Sequence, residues 1–443
     1  MAGKIRQMID YIISQRAANN PMGEKVIKAK LILKGINPNR YDAQSEDDPA
    51  VLNKLQTMMT ELKIETVPVR AAGNFSTRTA VSAKDSLDGV IVDLDAQLKG
   101  FDPKLIMFFA SSRFDPDLLS EQLQERFDGC LVFGCSTAGE IVSGRMLTGS
   151  VVLMAFSGEA VSDAKIEVVE SPDDPHAVTA AFDGFSRHFR TPAGAMSPRE
   201  YVGIVLVDGM TGAEERLIET IGDQTDVIFI GGSAGDDLRF SATHVYAHGT
   251  SYTNAAVLVL LRPTVPFTFI KTQSFRALGR TLTVTRADTA KREVIEFNGR
   301  PAALAYAETL GTTVEEAPAR FMSNPVGLVI DGEPYVRSPQ QILDDNGMAF
   351  YCGVTEGMEL SLLEATDIIS DTRAAIDRAR TELGGISAII NFNCILRTLE
   401  LQQRGLTGEY GALFSGVPTI GFSTYGEQYI GHLNQTATML VFR

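Results

Sequence analysis

The sequence predicts an α/β protein of mixed sheets with flanking helices, built as two related lobes behind a helical N-terminal extension. Three observations predict it. A helix-period apolar pattern is confined to the first 64 residues. From about residue 65, short β-branched runs alternate with amphipathic stretches. A Gly/Ser/Thr motif then recurs three times, each time at the end of such a run. A chain of 443 residues with 44% apolar content is long enough for two or three packed domains.

In chain order, Ile5, Met8, Ile9, Ile12 and Ile13 recur at spacings of three and four, one face of a helix. Asn20 and Pro21 interrupt it. A second helical stretch runs from about Glu24 to Leu33, and Gly35, Pro38 and Tyr41 form a loop. A third stretch opens near Pro49 and carries Val51, Leu55, Met58, Met59 and Leu62. This extension, residues 1–64, either packs on the main body or docks a partner. The remainder divides into segments 65–285 and 286–443.

Within them one unit repeats: strand, helix, strand ending in the motif, closing strand. It is read at Leu105–Phe109, Leu118–Phe127, Leu131–Phe133 and Val151–Phe156. It returns at Gly203–Val207, Glu214–Ile221, Val227–Ile230 and Ala255–Leu261. It returns again at Ala388–Phe392, Leu396–Gln403, Thr419–Phe422 and Thr438–Phe442. The motifs are Gly134-Cys-Ser-Thr-Ala-Gly-Glu140, Gly231-Gly-Ser-Ala-Gly-Asp236 and Gly421-Phe-Ser-Thr-Tyr-Gly-Glu427. The first and third agree in Gly, Ser, Thr, Gly and Glu; the second is one residue shorter and ends in Asp. The motifs begin 29, 28 and 33 residues after Leu105, Gly203 and Ala388, so the units are related.

Charge narrows the function. Forty Lys and Arg against 55 Asp and Glu leave a net charge of −15. Such a balance argues against phosphate-backbone and anionic-membrane partners. No run of about 18 apolar residues and no secretion signal is legible, which points to a cytoplasmic protein. The four cysteines, Cys130, Cys135, Cys352 and Cys394, suit neither a disulfide framework nor a zinc site and read as buried free thiols.

The motif suggests a small polar ligand. Glycine at a strand end permits positive φ and lets a ligand approach the main chain. Ser136, Thr137, Ser423 and Thr424 both donate and accept, and Glu140 and Glu427 are fixed acceptors for an ammonium or hydroxyl. The same residues also serve as turn caps in proteins that bind nothing.

Gly134-Cys-Ser-Thr-Ala-Gly-Glu-Ile141 resembles the signature of the FIST N-terminal domain, as does the stretch from Asp208-Gly-Met-Thr-Gly212 through Ile228-Phe-Ile-Gly-Gly-Ser-Ala-Gly-Asp236. Phe297-Asn-Gly-Arg-Pro-Ala302 with Tyr306 and Leu310-Gly311 resembles the opening of the FIST C-terminal domain. Asn393-Cys394 with Arg397, Pro418 to Glu427, and Asn434-Gln-Thr436 resemble its end. The likeness covers residues 65–443 and leaves the N-terminal extension outside. It implies a sensory input module of signal transduction that binds a small ligand such as an amino acid. It also implies a nitric-oxide-sensing branch that binds haem and regulates a histidine kinase. No kinase, receiver, cyclase or chemotaxis module is legible in these residues, so a separate signalling protein would read the state.

The residues expected to meet the ligand are Cys135, Ser136, Thr137, Glu140, Gly232, Ser233, Asn393, Arg397, Phe422, Ser423, Thr424, Tyr425 and Glu427. Arg397 either forks onto a ligand carboxylate or pairs with Glu400 or Glu409. For haem, His432 is the first candidate axial ligand, followed by His244 and His248. Gly231-Gly-Ser233-Ala-Gly235 also fits the G-x-S-x-G pattern of a serine hydrolase, with Asp236 or Asp237 and His244 or His248 in the right order. A helix should follow that serine, whereas Asp236–Ala242 reads as a loop. An interaction scaffold without ligand is the remaining alternative.

Overall fold

The computed structural model describes residues 76–330 and 332–443 and, before them, residues 4–17, 35–41 and scattered positions between 24 and 55. The chain divides into two compact units, Met1–Arg70 and Ala71–Arg443. In the first unit the helix Lys4–Ala17 buries Ile5, Met8, Ile9 and Ile12 together with Ile27, Leu31, Ile36 and Leu55. Residues 24, 27, 28, 31 and 32 are helical, as are 51, 52, 54 and 55. Met58, Met59 and Leu62 of the third expected stretch lie outside the described residues.

The second unit is mixed α/β, and its repeat is larger than the one read from sequence. Each repeat begins with an edge strand and a helix that precede the strand–helix–strand already identified. The edge strands are Thr77–Ser82, Val161–Glu170 and Phe267–Gln273. The leading helices are Leu87–Leu98, Pro175–Phe189 and Ile368–Leu383. Ser86, Asp174 and Asp367 cap these helices by accepting from backbone N–H groups of the first turn. The first strands follow at Leu105–Ser111, Val202–Val207 and Ala388–Cys394. Crossover helices Pro116–Arg126, Glu214–Gln224 and Ile395–Gln403 lead to the motif strands Leu131–Thr137, Phe229–Ser233 and Thr419–Thr424. First and motif strands pair in parallel, as a helical crossover requires. The closing strands Val151–Phe156, Ala255–Pro263 and Thr436–Phe442 lie antiparallel between edge strand and first strand.

Between motif strand and closing strand each repeat inserts a short hairpin that leaves its own sheet. Glu140–Val142 and Arg145–Leu147, from the first repeat, extend the third sheet beside Thr419–Thr424. Val245–Ala247 and Thr250–Tyr252, from the second, extend the first sheet beside Leu131–Thr137. Glu427–Tyr429 and His432–Leu433, from the third, extend the second sheet beside Phe229–Ser233. The donation is cyclic, and every sheet ends as the same six-stranded arrangement.

Side-chain alternation along the strands then sets the layers. Leu105, Met107 and Phe109, Val202, Ile204 and Leu206, and Ala388, Ile390 and Phe392 point into one core shared by the three sheets. Ile106 and Phe108, Val205 and Val207, and Ile389 point the other way, under their helices. Burial on both faces explains why these strands read as continuous apolar runs.

A fourth sheet interrupts the third repeat between its edge strand and its leading helix. Its strand order is Glu333–Arg337, Val326–Ile330, Glu359–Ala365, Phe275–Asp288, Glu293–Phe297, Met348–Phe350 and Pro339–Ile342, with Arg300–Pro301 paired to Glu293–Phe297. The helix Ala302–Leu310 packs on it through Ala303 and Tyr306.

Candidate functional site

The first glycine of each motif lies in extended strand, where a side chain would strike the parallel neighbour. A Cβ at Gly134, Gly231 or Gly421 would come within 2.0, 1.7 and 2.1 Å of the carbonyl oxygens of Phe108, Val205 and Asn391. The glycines thus serve strand packing rather than the positive φ expected from the sequence; in the motifs only Gly139 has one.

Beyond these glycines the three motifs meet and bond to one another. Ser423 N donates to Gly139 O at 2.7 Å and Ala138 N to Ser423 O at 3.2 Å, joining the first motif to the third. Ser233 N donates to Gly426 O at 2.8 Å and Tyr425 N to Ser233 O at 3.2 Å, joining the third to the second. Gly235 N donates to Ser136 O at 3.0 Å and closes the ring. Thr424 Oγ1 donates to Ser233 O and Gly426 O, both at 2.8 Å, and a Cβ at Gly232 would lie 2.6 Å from that hydroxyl. Cys135 and Phe422 point into the shared core, Phe422 with its ring centroid 4.5 Å from that of Phe109. Ser136 points outward and accepts from His244 N at 2.9 Å.

Glu140 and Glu427 are fully buried, and each ties its hairpin to the start of the closing strand. Glu140 accepts from Thr137 Oγ1 at 2.5 Å, Ser150 Oγ at 2.6 Å and Ser150 N at 3.0 Å. Glu427 accepts from Thr436 Oγ1 at 2.7 Å and Thr436 N at 3.1 Å, while its other oxygen has no partner. Burial pushes the two carboxyls up to about 7 and about 8, against the downward pull of these bonds and, at Glu427, of the Cys394 thiol and the Arg397 charge. In the second repeat Asp208 takes this task, accepting from Thr243 Oγ1 and from Asn254 N at 2.6 Å. Asp236 instead organises the loop after its motif, accepting from Phe240 N at 2.8 Å, Ser241 N at 2.6 Å and Tyr425 Oη at 2.5 Å. Tyr425 is half-buried and stacks on exposed Phe240 with ring centroids 4.9 Å apart.

Arg397 and Asn393 lie beneath the third motif. Arg397 is 2% exposed. Its Nε donates to Asn393 Oδ1 at 3.0 Å, Nη2 to Thr372 Oγ1 at 3.0 Å and Nη1 to Ser274 Oγ at 3.4 Å. All three acceptors are neutral. Glu400, the expected protein partner, pairs with Arg404 at 2.8 Å instead. Asn393 also donates to Thr398 Oγ1 at 2.9 Å, and Thr398 bonds Ser423 at 2.8 Å, connecting the arginine to the motif.

Ser233 belongs to a second polar cluster. Its hydroxyl donates to Glu214 Oε1 at 3.1 Å and accepts from Gln428 Nε2 at 3.2 Å; that amide also lies 3.1 Å from His432 Nδ1. Glu214 and Glu215 open the helix Glu214–Gln224, where the backbone dipole favours acids, and both bind Arg292 of the fourth sheet. Burial pushes Glu215 up, but His432 and Arg292 outweigh it and hold the carboxyl below its usual range. Glu214, Glu215, Gln428 and Arg292 escaped the sequence reading. The helix starting at Glu214 was legible, but nothing local marks its first acids as part of a cluster, and Arg292 carries no local signal.

The histidines are not gathered. His432 is buried with its ring against the α-carbon of Gly426, and its Nδ1 faces Gln428, leaving Nε2 for any metal. His244 and His248 flank the donated strand Val245–Ala247 of the first sheet. His248 lines a surface cavity of about 430 Å³ with Glu121, Gln124, Glu125 and Asp128. Asp237 is engaged by Ser111 Oγ at 2.9 Å and Ser112 Oγ at 2.7 Å. The direct side-chain partners of Ser233 are therefore an acid and an amide. The cysteines are free, three of them buried and Cys130 partly so. Among the described residues no group of His, Cys, Asp and Glu could hold a metal ion, and no helix is long and apolar enough to cross a membrane.

Comparison with known proteins covers the same region. Residues 104–300 match the FIST N domain and residues 302–430 the FIST C domain. An uncharacterized protein of Methanocaldococcus jannaschii is 22% identical over 317 residues, 66% of this chain and 60% of that protein. The match thus spans about three fifths of that relative's length.

Proposed function

The chain belongs to the FIST-domain proteins, and from that premise we propose that it is a sensory module that holds a small polar ligand, an amino acid or related carboxylate, and relays its occupancy to a separate signalling protein. FIST domains are associated with signal transduction and small-ligand sensing. The observation that carries the finer reading is Arg397: a fully buried guanidinium whose hydrogen-bond partners are all neutral. The one acid its charge is seen to reach, Glu427, is pushed up to about 8 by burial, so at neutral pH the guanidinium has no full counter-charge, and a planar carboxylate is the natural complement of its fork. The network through Asn393, Thr398 and Ser423 would carry a change at Arg397 to the ring of motifs, where the three sheets are joined. The motif residues are then the support of the site, and Tyr425, half-exposed on its rim, is where a partner could read it. Binding would favour one arrangement only through differential affinity for the two states.

A thermal-shift screen against free amino acids, small carboxylates and haemin tests this. A ligand at about 100 times its dissociation constant adds about 2.7 kcal/mol, several degrees of melting temperature for a unit of this size. Arg397→Met is expected to lower the shift. Haemin as the sole hit, with a porphyrin absorption band lost in His432→Ala, would replace the metabolite reading by haem-based gas sensing. Turnover of an ester that is lost in Ser233→Ala would replace it by hydrolysis. No shift with any compound would leave an interaction scaffold.

A further inference from the structure

The fourth sheet contains a second buried arginine, one that the motifs do not involve. Arg337 ends the strand Glu333–Arg337 and is 5% exposed. Its Nη1 donates to the carbonyl of Val336 at 3.2 Å, and its buried Nε has no partner. Among the described residues no carboxylate forms an ion pair with it. Glu215, which like Arg337 acts on the thiol of Cys352, is already held by Arg292 and by the N–H of Gly353 at 2.6 Å. The thiol of Cys352 feels Arg337, but burial pushes it up to about 11, so it stays neutral at neutral pH.

Its surroundings are those of a junction. The strand Glu333–Arg337 runs beside His432–Leu433 of the hairpin donated by the third repeat. Ser338, next in the chain, donates to Gln435 Oε1 at 2.7 Å. On the same segment of the third repeat, Gln428 Oε1 and Asn434 Oδ1 are buried and lack a donor. A buried cation and two buried acceptors that lack donors thus stand on adjoining elements. A carboxylate suits this cation, because its two oxygens match the planar fork that the unpartnered Nε leaves open.

We propose that Arg337 anchors a binding site for a small monocarboxylate between the fourth sheet and the hairpin Glu427–Leu433, with the amide oxygens of Gln428 and Asn434 as acceptors for an amino group on the same ligand. The proposal rests on the sensory reading for the size of the ligand and on Arg337 for its place. Because the hairpin is bonded to Ser233 through Gln428, occupancy here would bear on the same ring of motifs.

The full chain would be melted in sodium acetate, glycine and sodium chloride at matched ionic strength, alongside Arg337→Met, Arg337→Lys and Arg397→Met. Acetate or glycine is expected to raise the melting temperature by several degrees over chloride. Arg337→Met should show a smaller rise and, without ligand, melt no lower than the unmodified protein. Arg337→Lys keeps the charge without the fork and should bind at least tenfold more weakly by calorimetry, which serves if the Met variant fails to fold. A full rise retained in Arg337→Met, or undiminished binding by Arg337→Lys, overturns the proposal. Loss of the rise in Arg397→Met but not in Arg337→Met overturns it while sparing the sensory reading. An equal response to chloride, or no response to any carboxylate, overturns it as well, the last taking the sensory reading with it.

Discussion

At Gly134, Gly231 and Gly421 a methyl group has nowhere to go, because a backbone carbonyl occupies its place. Alanine at any one of them should cost about 3 kcal/mol of stability in denaturant titrations, since backbone must move to admit it. That these positions matter was legible in the recurrence; the reason was not, because the obstructing atoms belong to residues 26 positions upstream or more, Phe108 for Gly134. The glutamates of the first and third motifs behave similarly. Both were recognised, but as groups to meet a ligand, whereas they fasten hairpins inside the protein. Their folded-state values, about 7 and about 8, lie above that of an unfolded glutamate. The unfolded chain therefore loses these protons first as pH rises. Their protonation stabilises the fold fully below about pH 4.5, and that contribution fades up to about pH 7 for Glu140 and pH 8 for Glu427, on the order of 3 kcal/mol apiece. Glu140→Gln and Glu427→Gln should flatten the fall in stability between pH 5 and 8, read by denaturant titration at each pH. An unchanged slope would mean that both carboxyls are ionised in the folded protein.

Elements were legible where apolar runs were continuous. The first, motif and closing strands are buried on both faces and stood out at once. The edge strands did not: Val161–Glu170 alternates between buried and exposed positions, and Phe267–Gln273 is separated from its helix by the whole fourth sheet. Pairing between distant segments leaves no mark in local sequence, so the exchange of hairpins was invisible although each hairpin follows a recognised motif. The leading helices offer a local test. Asp367 accepts from Ser370 N at 2.7 Å at the start of Ile368–Leu383, and backbone and hydroxyl bonds from Ser370 hold its carboxyl below the usual range. Asp367→Ala should cost about 1 kcal/mol at neutral pH, and the difference should shrink in acid as the aspartate takes up its proton. Denaturation of the two proteins at neutral and acid pH checks it.

Across the molecule, three sheets with one strand order surround one core, and each is finished by its neighbour's hairpin. The sequence displayed the recurrence of the unit and placed it in two lobes. Three copies of one sheet, joined by donation, emerge only from the pairing. A break in the connection Thr264–Pro266 tests how strongly the donations bind. The stretch before it would keep the first sheet whole but leave the second without Glu427–Leu433; the stretch after it would leave the third without Glu140–Leu147. Either half alone should lack near-ultraviolet dichroism and bind hydrophobic dyes, while the two halves produced together should co-purify as a folded pair. Independent folding of either half would show the donations to be ornamental. In the unbroken chain the three exchanges form a closed circuit, like three climbers each gripping the next one's wrist. Once two grips are made, the third partner is already within reach, and its local concentration far exceeds any attainable by free diffusion. The circuit should therefore open all at once or not at all, and a small molecule that loosens one grip has the other two to contend with. Such a circuit suits a detector, because it ignores weak disturbances and yields completely to a sufficient one.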